Sequence, residues 1–158
     1  MSAPGIDVSQ VSAPTGQLVR LFDEYRQHYG ERPDPAGSGT WLRQQLDSGA
    51  LIGFLAKLGT ETAGLALVAP TPASQRLGHF WQLRDLFVAP EHRRLGVGKA
   101  LVNSVCSAAQ AHGANRVSLV TEADNRTARD LYADAGFEAV AGYTSMSWSS
   151  SSRPEGAA

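Results

Sequence analysis

Leu83-Arg84-Asp85-Leu86-Phe87-Val88-Ala89-Pro90-Glu91-His92-Arg93-Arg94-Leu95-Gly96-Val97-Gly98-Lys99-Ala100-Leu101 is the stretch that decides the architecture of this chain. Residues His79 to Val88 read as a strand, closed by Ala89-Pro90 because proline cannot continue a central ladder. Beyond it Val97, Leu101, Val105 and Ala108 recur at helical spacing, and Gly113 is placed to end a helix running from Val97 to His112. A strand therefore runs through a basic loop into a helix that two glycines open. The first amides of such a helix have no intrahelical partner, and with the helix dipole behind them they bind phosphate. Gly96 and Gly98 carry no Cβ, so a pyrophosphate can approach the backbone, while Arg93, Arg94 and Lys99 add positive charge. Two familiar phosphate loops are excluded residue by residue. A Walker A loop needs glycine at position 93 and Ser or Thr at position 100, where this chain has Arg93 and Ala100. A dinucleotide fingerprint needs Gly or Ala at position 101, where it has Leu101. Taken by itself, the segment also fits an ordinary helix start beside a surface basic cluster.

Arg116 to Thr121 alternates and reads as a strand after the helix, so strand, helix and strand form a parallel crossover. On the N-terminal side, Ile6 to Val11 reads as a strand, and Leu18, Leu21, Phe22, Tyr25 and Tyr29 mark one face of a helix. Gly30 to Gly39, rich in Pro, Gly and Asp, reads as a loop before a short helix with Trp41, Leu42 and Leu46 that ends at Gly49. Ala50 to Leu58 and Thr62 to Ala69 form an antiparallel hairpin about Gly59-Thr60-Glu61, and Pro70 to Gly78 reads as a loop. Asp124 to Thr127 supplies caps for a helix carrying Ala128, Leu131 and Ala135, closed by Gly136 before a last strand around Phe137 to Trp148. The expected fold is one α/β domain over residues 1–148. Its central sheet is mixed and largely antiparallel, with a parallel β-α-β crossover and helices on both faces. Residues 149–158 are expected to be a disordered tail.

At 158 residues, with 42% hydrophobic and 18% charged residues, the chain is long enough for a core of its own. Fourteen basic residues nearly balance fifteen acidic ones, so no overall field recruits nucleic acid or an anionic membrane. Cys106 is the sole cysteine, which excludes an intrachain disulfide and any zinc site of several thiolates. Met1 to Gly5 resembles no signal peptide and no apolar run reaches membrane-spanning length, so a cytoplasmic protein is expected. His28, His79, His92 and His112 have no metal-ligand spacing, and no metal is expected. Cys106 falls within the apolar helix pattern and reads as a packing residue.

Two motifs in order carry a family resemblance. Arg93, Gly96 and Gly98 follow a strand ending in Val-Ala-Pro, and downstream come Asn125, Ala128, Leu131-Tyr132 and Gly136-Phe137. This pair resembles the GNAT superfamily of acyl-CoA-dependent N-acyltransferases, most strongly over residues 83–137 and more broadly over 6–148. The resemblance implies that the backbone from Arg93 to Lys99, with Arg94 and Val97 among it, binds the pyrophosphate of acetyl-CoA. It implies that Phe87 and Val88 hydrogen-bond the pantetheine arm, and that Asn125 orients that arm or the helix start. Tyr132 takes the place of the tyrosine that protonates the departing CoA thiolate. The base that takes the ammonium proton has three candidates, Asp85, Glu91 and Glu122, with Asp85 ranked first. Polyamine acetyltransferases that resemble this chain carry a glutamate where Arg84 stands, which weakens that acceptor class. Leu21 to Gly30 also resembles a bacterial subgroup of mostly unassigned substrate. Tyr25, Tyr29 and Trp41 serve either as core aromatics or as the lining of the acceptor pocket. The expected activity is acetyl transfer to a primary amine in a ternary complex, against the alternative of a non-catalytic acyl-CoA-binding module. A last strand with exposed edge groups also offers a route to a homodimer.

Overall fold

The computed structural model describes residues 5–150. Strand β1 (Ile6–Val11) leads to helix α1 (Gly16–His28), where the Thr15 hydroxyl accepts from the Leu18 N–H at 3.2 Å. Helix α2 spans Pro35–Asp47 and begins inside the segment expected to be loop. The reason is local: the Asp34 carboxylate accepts from the Gly37 N–H at 2.9 Å and Pro35 fills the first helical position, where a missing N–H costs nothing. Strands β2 (Ile52–Leu58), β3 (Glu61–Ala73) and β4 (Gly78–Val88) pair antiparallel in sequence, and β5 (Val117–Leu119) adds parallel to β4. The sheet order is β1-β2-β3-β4-β5. Helices α3 (Val97–Ala111) and α4 (Arg126–Asp134) complete the chain.

Strand β3 runs four residues past its expected end at Ala69, through Pro70 and Pro72, which pair with Trp81 and His79. The Trp81 N–H donates to the Arg116 carbonyl and the Asn115 N–H donates to the His79 carbonyl, so both β4 residues turn their hydrogen-bonding groups away from β3. In antiparallel pairing the facing prolines are then at non-hydrogen-bonded positions, with their ring nitrogens toward the side where β2 has already ended at Ile52↔Val68. No ladder bond is lost. Two expectations fail at the other end of the sheet. Strand β5 is shorter than Arg116 to Thr121, and residues 137–148 form no strand, because among the described residues no neighbouring backbone pairs with them. The expected tail lies outside the described residues from position 151.

The sheet is covered on both faces. Phe54, Ala66, Val68, Trp81 and Leu83 pack against Val97, Leu101 and Val105 of α3, while Leu55, Leu65, Leu67 and Phe87 pack against α1 and α2 through Leu18, Leu21, Phe22 and Leu42. Strand β3 is buried on both sides from Ala63 to Val68, which explains its unbroken apolar run. The two helices on the second face are joined by one buried carboxylate. Asp23 accepts from Ser38 Oγ at 2.8 Å, the Asp34 N–H at 3.0 Å, Arg26 at 3.1 Å and Gln27 at 3.1 Å. Burial pushes the Asp23 carboxyl up, but these donors outweigh it and hold the group below its ordinary pKa. Asp23→Ala is expected to cost about 2–4 kcal/mol in urea unfolding, since it strands the Asp34 N–H and the Ser38 hydroxyl. Because the folded-state pKa is depressed, this stabilisation is present above about pH 4 and lost as pH falls through the folded value. An acid titration of wild type against Asp23→Ala, in which the difference shrinks only at low pH, checks the sign.

Candidate active site

The site is built around an irregularity in β4. Leu67 faces Asp85 and Val68 faces Leu83, so Arg84 is an extra residue in the ladder, a bulge. Before it, Trp81 and Leu83 point at α3; after it, the side-chain alternation is reversed and Asp85 and Phe87 point at α1. Parallel pairing with β5 covers only Trp81 to Leu83, and from Arg84 onward one edge of β4 has no neighbouring strand among the described residues. The Ala89 N–H donates to Ala63 at 2.9 Å, which puts Phe87 and Asp85 in the hydrogen-bonded positions toward β3 and turns the backbone groups of Leu86 and Val88 outward into the gap. Of the two residues the resemblance assigns to the pantetheine arm, Val88 therefore offers its backbone outward. Its carbonyl accepts from Arg93 Nε at 3.0 Å. Phe87 is 6% exposed, and its ring packs on Tyr25 and His28.

At the end of β4 the chain reaches α3 through two left-handed residues, Arg94 (φ 61) and Gly96 (φ 88). Gly96 is the N-cap and supplies no side-chain acceptor, so the N–H groups of Val97, Gly98 and Lys99 have no partner among the described residues. A Cβ on Gly98 would stand 3.3 Å from Leu131 Cδ2 and 3.7 Å from Val88 Cγ2. The backbone is thus bare where β4, α3 and α4 converge. Arg93 lies back over the Phe87 ring, its guanidinium carbon 5.8 Å from the centroid, whereas Arg94 and Lys99 are exposed. Among the described residues the turn offers unpaired amides, a helix dipole and two cations without an ion-pair partner to an anion.

Helix α4 closes the opposite side. The Asn125 side chain accepts from the Ala128 N–H at 3.1 Å and is the helix cap. Tyr132 is half-buried, its ring tilted against that of Phe137 at 5.7 Å between centroids. Burial, with the Tyr29 phenol as a second cause, pushes its pKa up, so its hydroxyl stays protonated at neutral pH.

Asp85 is directed at α1, where the Tyr25 hydroxyl donates to it at 2.5 Å. Burial raises the carboxyl pKa, and the Tyr25 hydrogen bond and the nearby Arg84 charge partly offset that rise. Burial and then Asp85 push the Tyr25 phenol well above its ordinary value. No motif in the sequence pairs these residues, because the bulge that turns Asp85 toward α1 has no local signature. Tyr25→Phe keeps the ring between Phe22 and Phe87 and removes the donor that lowers Asp85. The Asp85 carboxyl is expected to titrate higher in this variant, as read by carbon NMR. Of the other base candidates, Glu91 lines a cleft of about 500 Å³ with Glu24, Gln27, His28, Phe87 and Pro90, and Glu122 is exposed in the loop before α4. Trp41 stacks on Phe22 at 5.5 Å. Cys106 is partly buried on α3, where burial pushes its thiol up. Among the described residues no group of three or more His, Cys, Asp or Glu side chains is arranged to hold a metal, and no helix is long and apolar enough to cross a membrane.

The model of the acetyltransferase (GNAT) family matches residues 17–137. An uncharacterised N-acetyltransferase of Bacillus subtilis, YhfO, is 32% identical over 126 residues, covering 80% of this chain and 85% of that protein. A thialysine N-epsilon-acetyltransferase of Caenorhabditis elegans is 26% identical over 116 residues, covering 73% and 72%. Among solved structures, a probable acetyltransferase superposes with a TM-score of 0.84 at 26% identity, covering 93% of this chain and 99% of its own.

Proposed function

Because the chain belongs to the acetyltransferase (GNAT) family, we propose that it moves an acetyl group from acetyl-CoA to a primary amine by direct attack in a ternary complex, as one catalytic domain over residues 1–148 working in the cytoplasm. The observation that carries this reading is the gap itself. Where β5 stops at Leu119, the outward backbone of Leu86 and Val88 ends beside the bare amides of Val97, Gly98 and Lys99. These residues suit a long, anion-headed thioester: the amides and Lys99 take the pyrophosphate, and Leu86 and Val88 take the amides of the pantetheine arm once Arg93 releases the Val88 carbonyl. Acetyl-CoA supplies an activated carbonyl with a thiolate leaving group.

The protein's own part is orientation and two proton movements. Asp85 takes a proton from the acceptor ammonium, directly or through water. Its free oxygen lone pairs remain available, since Tyr25 occupies one oxygen. The amine nitrogen then bonds to the acetyl carbon as the carbon–sulfur bond breaks, and Tyr132 delivers its proton to the sulfur. The second proton of the new amide nitrogen returns to water. Acceptor entry is from the α1 side, across Tyr29 and the cleft lined by Glu24, His28 and Glu91. The similarity to a thialysine acetyltransferase is consistent with a small amine acceptor. Initial rates with acetyl-CoA and an accepted amine both varied should give intersecting double-reciprocal lines. Parallel lines, the sign of an acetyl-enzyme, would overturn direct attack.

A further inference from the structure

We propose that the acceptor is an α-amino acid, an amine that also carries a carboxylate, and that Arg84 is the residue that selects it. The inference rests on the acetyl-transfer reading above and names the acceptor class for that site. It begins at the bulge. Leu67 faces Asp85 and Val68 faces Leu83, which leaves Arg84 with no partner of its own on β3. Trp81 and Leu83 face α3, so alternation puts Arg84 on the α1 face, and the extra residue then brings Asp85 to that same face, where Tyr25 meets it. In a regular strand the two side chains would stand on opposite sides of the sheet. Here a guanidinium and the base are neighbours on one face.

Arg84 is exposed and forms no ion pair among the described residues, whereas Arg26 is held by Asp23 and Arg93 by the Val88 carbonyl. Its charge still reaches the site: burial raises the Asp85 carboxyl and the Tyr25 phenol, and Arg84 pulls both down. Beside a base that must receive an ammonium, a fixed cation is unfavourable, because it repels the incoming charge and makes Asp85 less basic. A carboxylate on the acceptor reverses that effect, since the planar guanidinium can take it with two parallel hydrogen bonds. Consecutive Cα atoms are about 3.8 Å apart, so the two groups recognised by Arg84 and Asp85 lie close together. That suits an α-amino acid, whose ammonium and carboxylate share one carbon. The surroundings are divided by sign in the same sense. Glu24 and Glu91 line the cleft beside Phe87, roughly 10 Å further along β4 than Arg84, and form no ion pair among the described residues. They repel the acceptor carboxylate from the cleft and leave Arg84 as its place, with the ammonium at Asp85 between them.

The test is a ratio of rates. Acetylation of alanine, leucine and lysine is compared with that of their carboxamides, as kcat/KM at saturating acetyl-CoA, for wild type, Arg84→Gln and Arg84→Glu. Arg84 is exposed, so all three forms should give the same far-UV circular dichroism. The acid-to-amide ratio should fall about 10-fold or more in Arg84→Gln, the scale of a hydrogen-bonded charge pair, and further in Arg84→Glu. Amidation also alters the basicity of the amine, but that difference cancels when the ratio is compared between forms of the protein. A cation that served only to hold Asp85 ionised would change acid and amide by the same factor. An unchanged ratio in Arg84→Gln would therefore overturn the proposal, as would a wild type that acetylates the amides and none of the acids. Failure to acetylate any amine would instead remove the acetyl-transfer reading, and this inference with it.

Discussion

Gly98→Asp is expected to weaken acetyl-CoA binding by about 100-fold or more, with little loss of fold stability. The two effects have opposite signs for one physical reason. Position 98 is the second residue of α3, where a carboxylate is favoured by the helix dipole and can itself accept from the bare amides. That same carboxylate sits where a pyrophosphate must approach, and two like charges about 4 Å apart at an effective dielectric near 20 repel by roughly 4 kcal/mol. Each ~1.4 kcal/mol is tenfold in affinity, so 100-fold is a conservative expectation. The new Cβ would be 3.3 Å from Leu131 Cδ2, a contact that the flexible end of a leucine can relieve. Gly98→Ala supplies the same Cβ without the charge and is expected to retain most of the affinity. Calorimetry on both folded variants checks the pair. Wild-type affinity in Gly98→Asp would mean that no phosphate sits at this turn.

Tyr132→Phe is expected to lower kcat by about 100-fold or more at nearly unchanged acetyl-CoA affinity, the usual scale for a positioned acid. The substitution keeps the ring that packs on Phe137 at 5.7 Å and removes only the proton donor. The raised pKa of Tyr132 sets the pH dependence. Burial first, and Tyr29 second, favour the neutral phenol, so the donor should be lost only above the ordinary phenol value of about 10. Wild-type kcat should therefore show no basic decline from this group between about pH 7 and 9. Single-turnover measurements keep product release from masking the loss. A wild-type rate for chemistry in Tyr132→Phe would reduce Tyr132 to a packing residue.

The strand, turn and helix from His79 to Ala111 were legible in the sequence because their signals are local. Proline ends a strand, paired glycines open a helix, and apolar spacing of 3.6 marks its buried face. Ile6 to Val11 and the hairpin at Gly59 were legible for the same reason, and so was Asn125 as a cap. What escaped depends on partners distant in the chain. The bulge at Arg84 is a mismatch between β4 and β3, so neither strand alone announces it, yet it decides that Asp85 meets Tyr25. Pro70 and Pro72 read as loop because a proline's cost in a strand depends on which way its nitrogen faces, and only the pairing settles that. The start of α2 was a different kind of miss. Asp34-Pro35 is a sound cap and first-turn signal, and the surrounding density of Pro and Gly obscured it. For Phe137 to Trp148 the alternation is real, but a strand exists only when another backbone pairs with it.

The most direct test of the account is to incubate the protein with acetyl-CoA and a panel of primary amines, following free CoA thiol and the mass of each amine together. At least one amine is expected to gain one acetyl group for each CoA released, and at acetyl-CoA well below saturation both products should form about 100-fold more slowly with Gly98→Asp. Tight acetyl-CoA binding with no acetylated amine across a broad panel, including small diamines, amino acids and lysine peptides, would contradict it and identify the chain as a binding module.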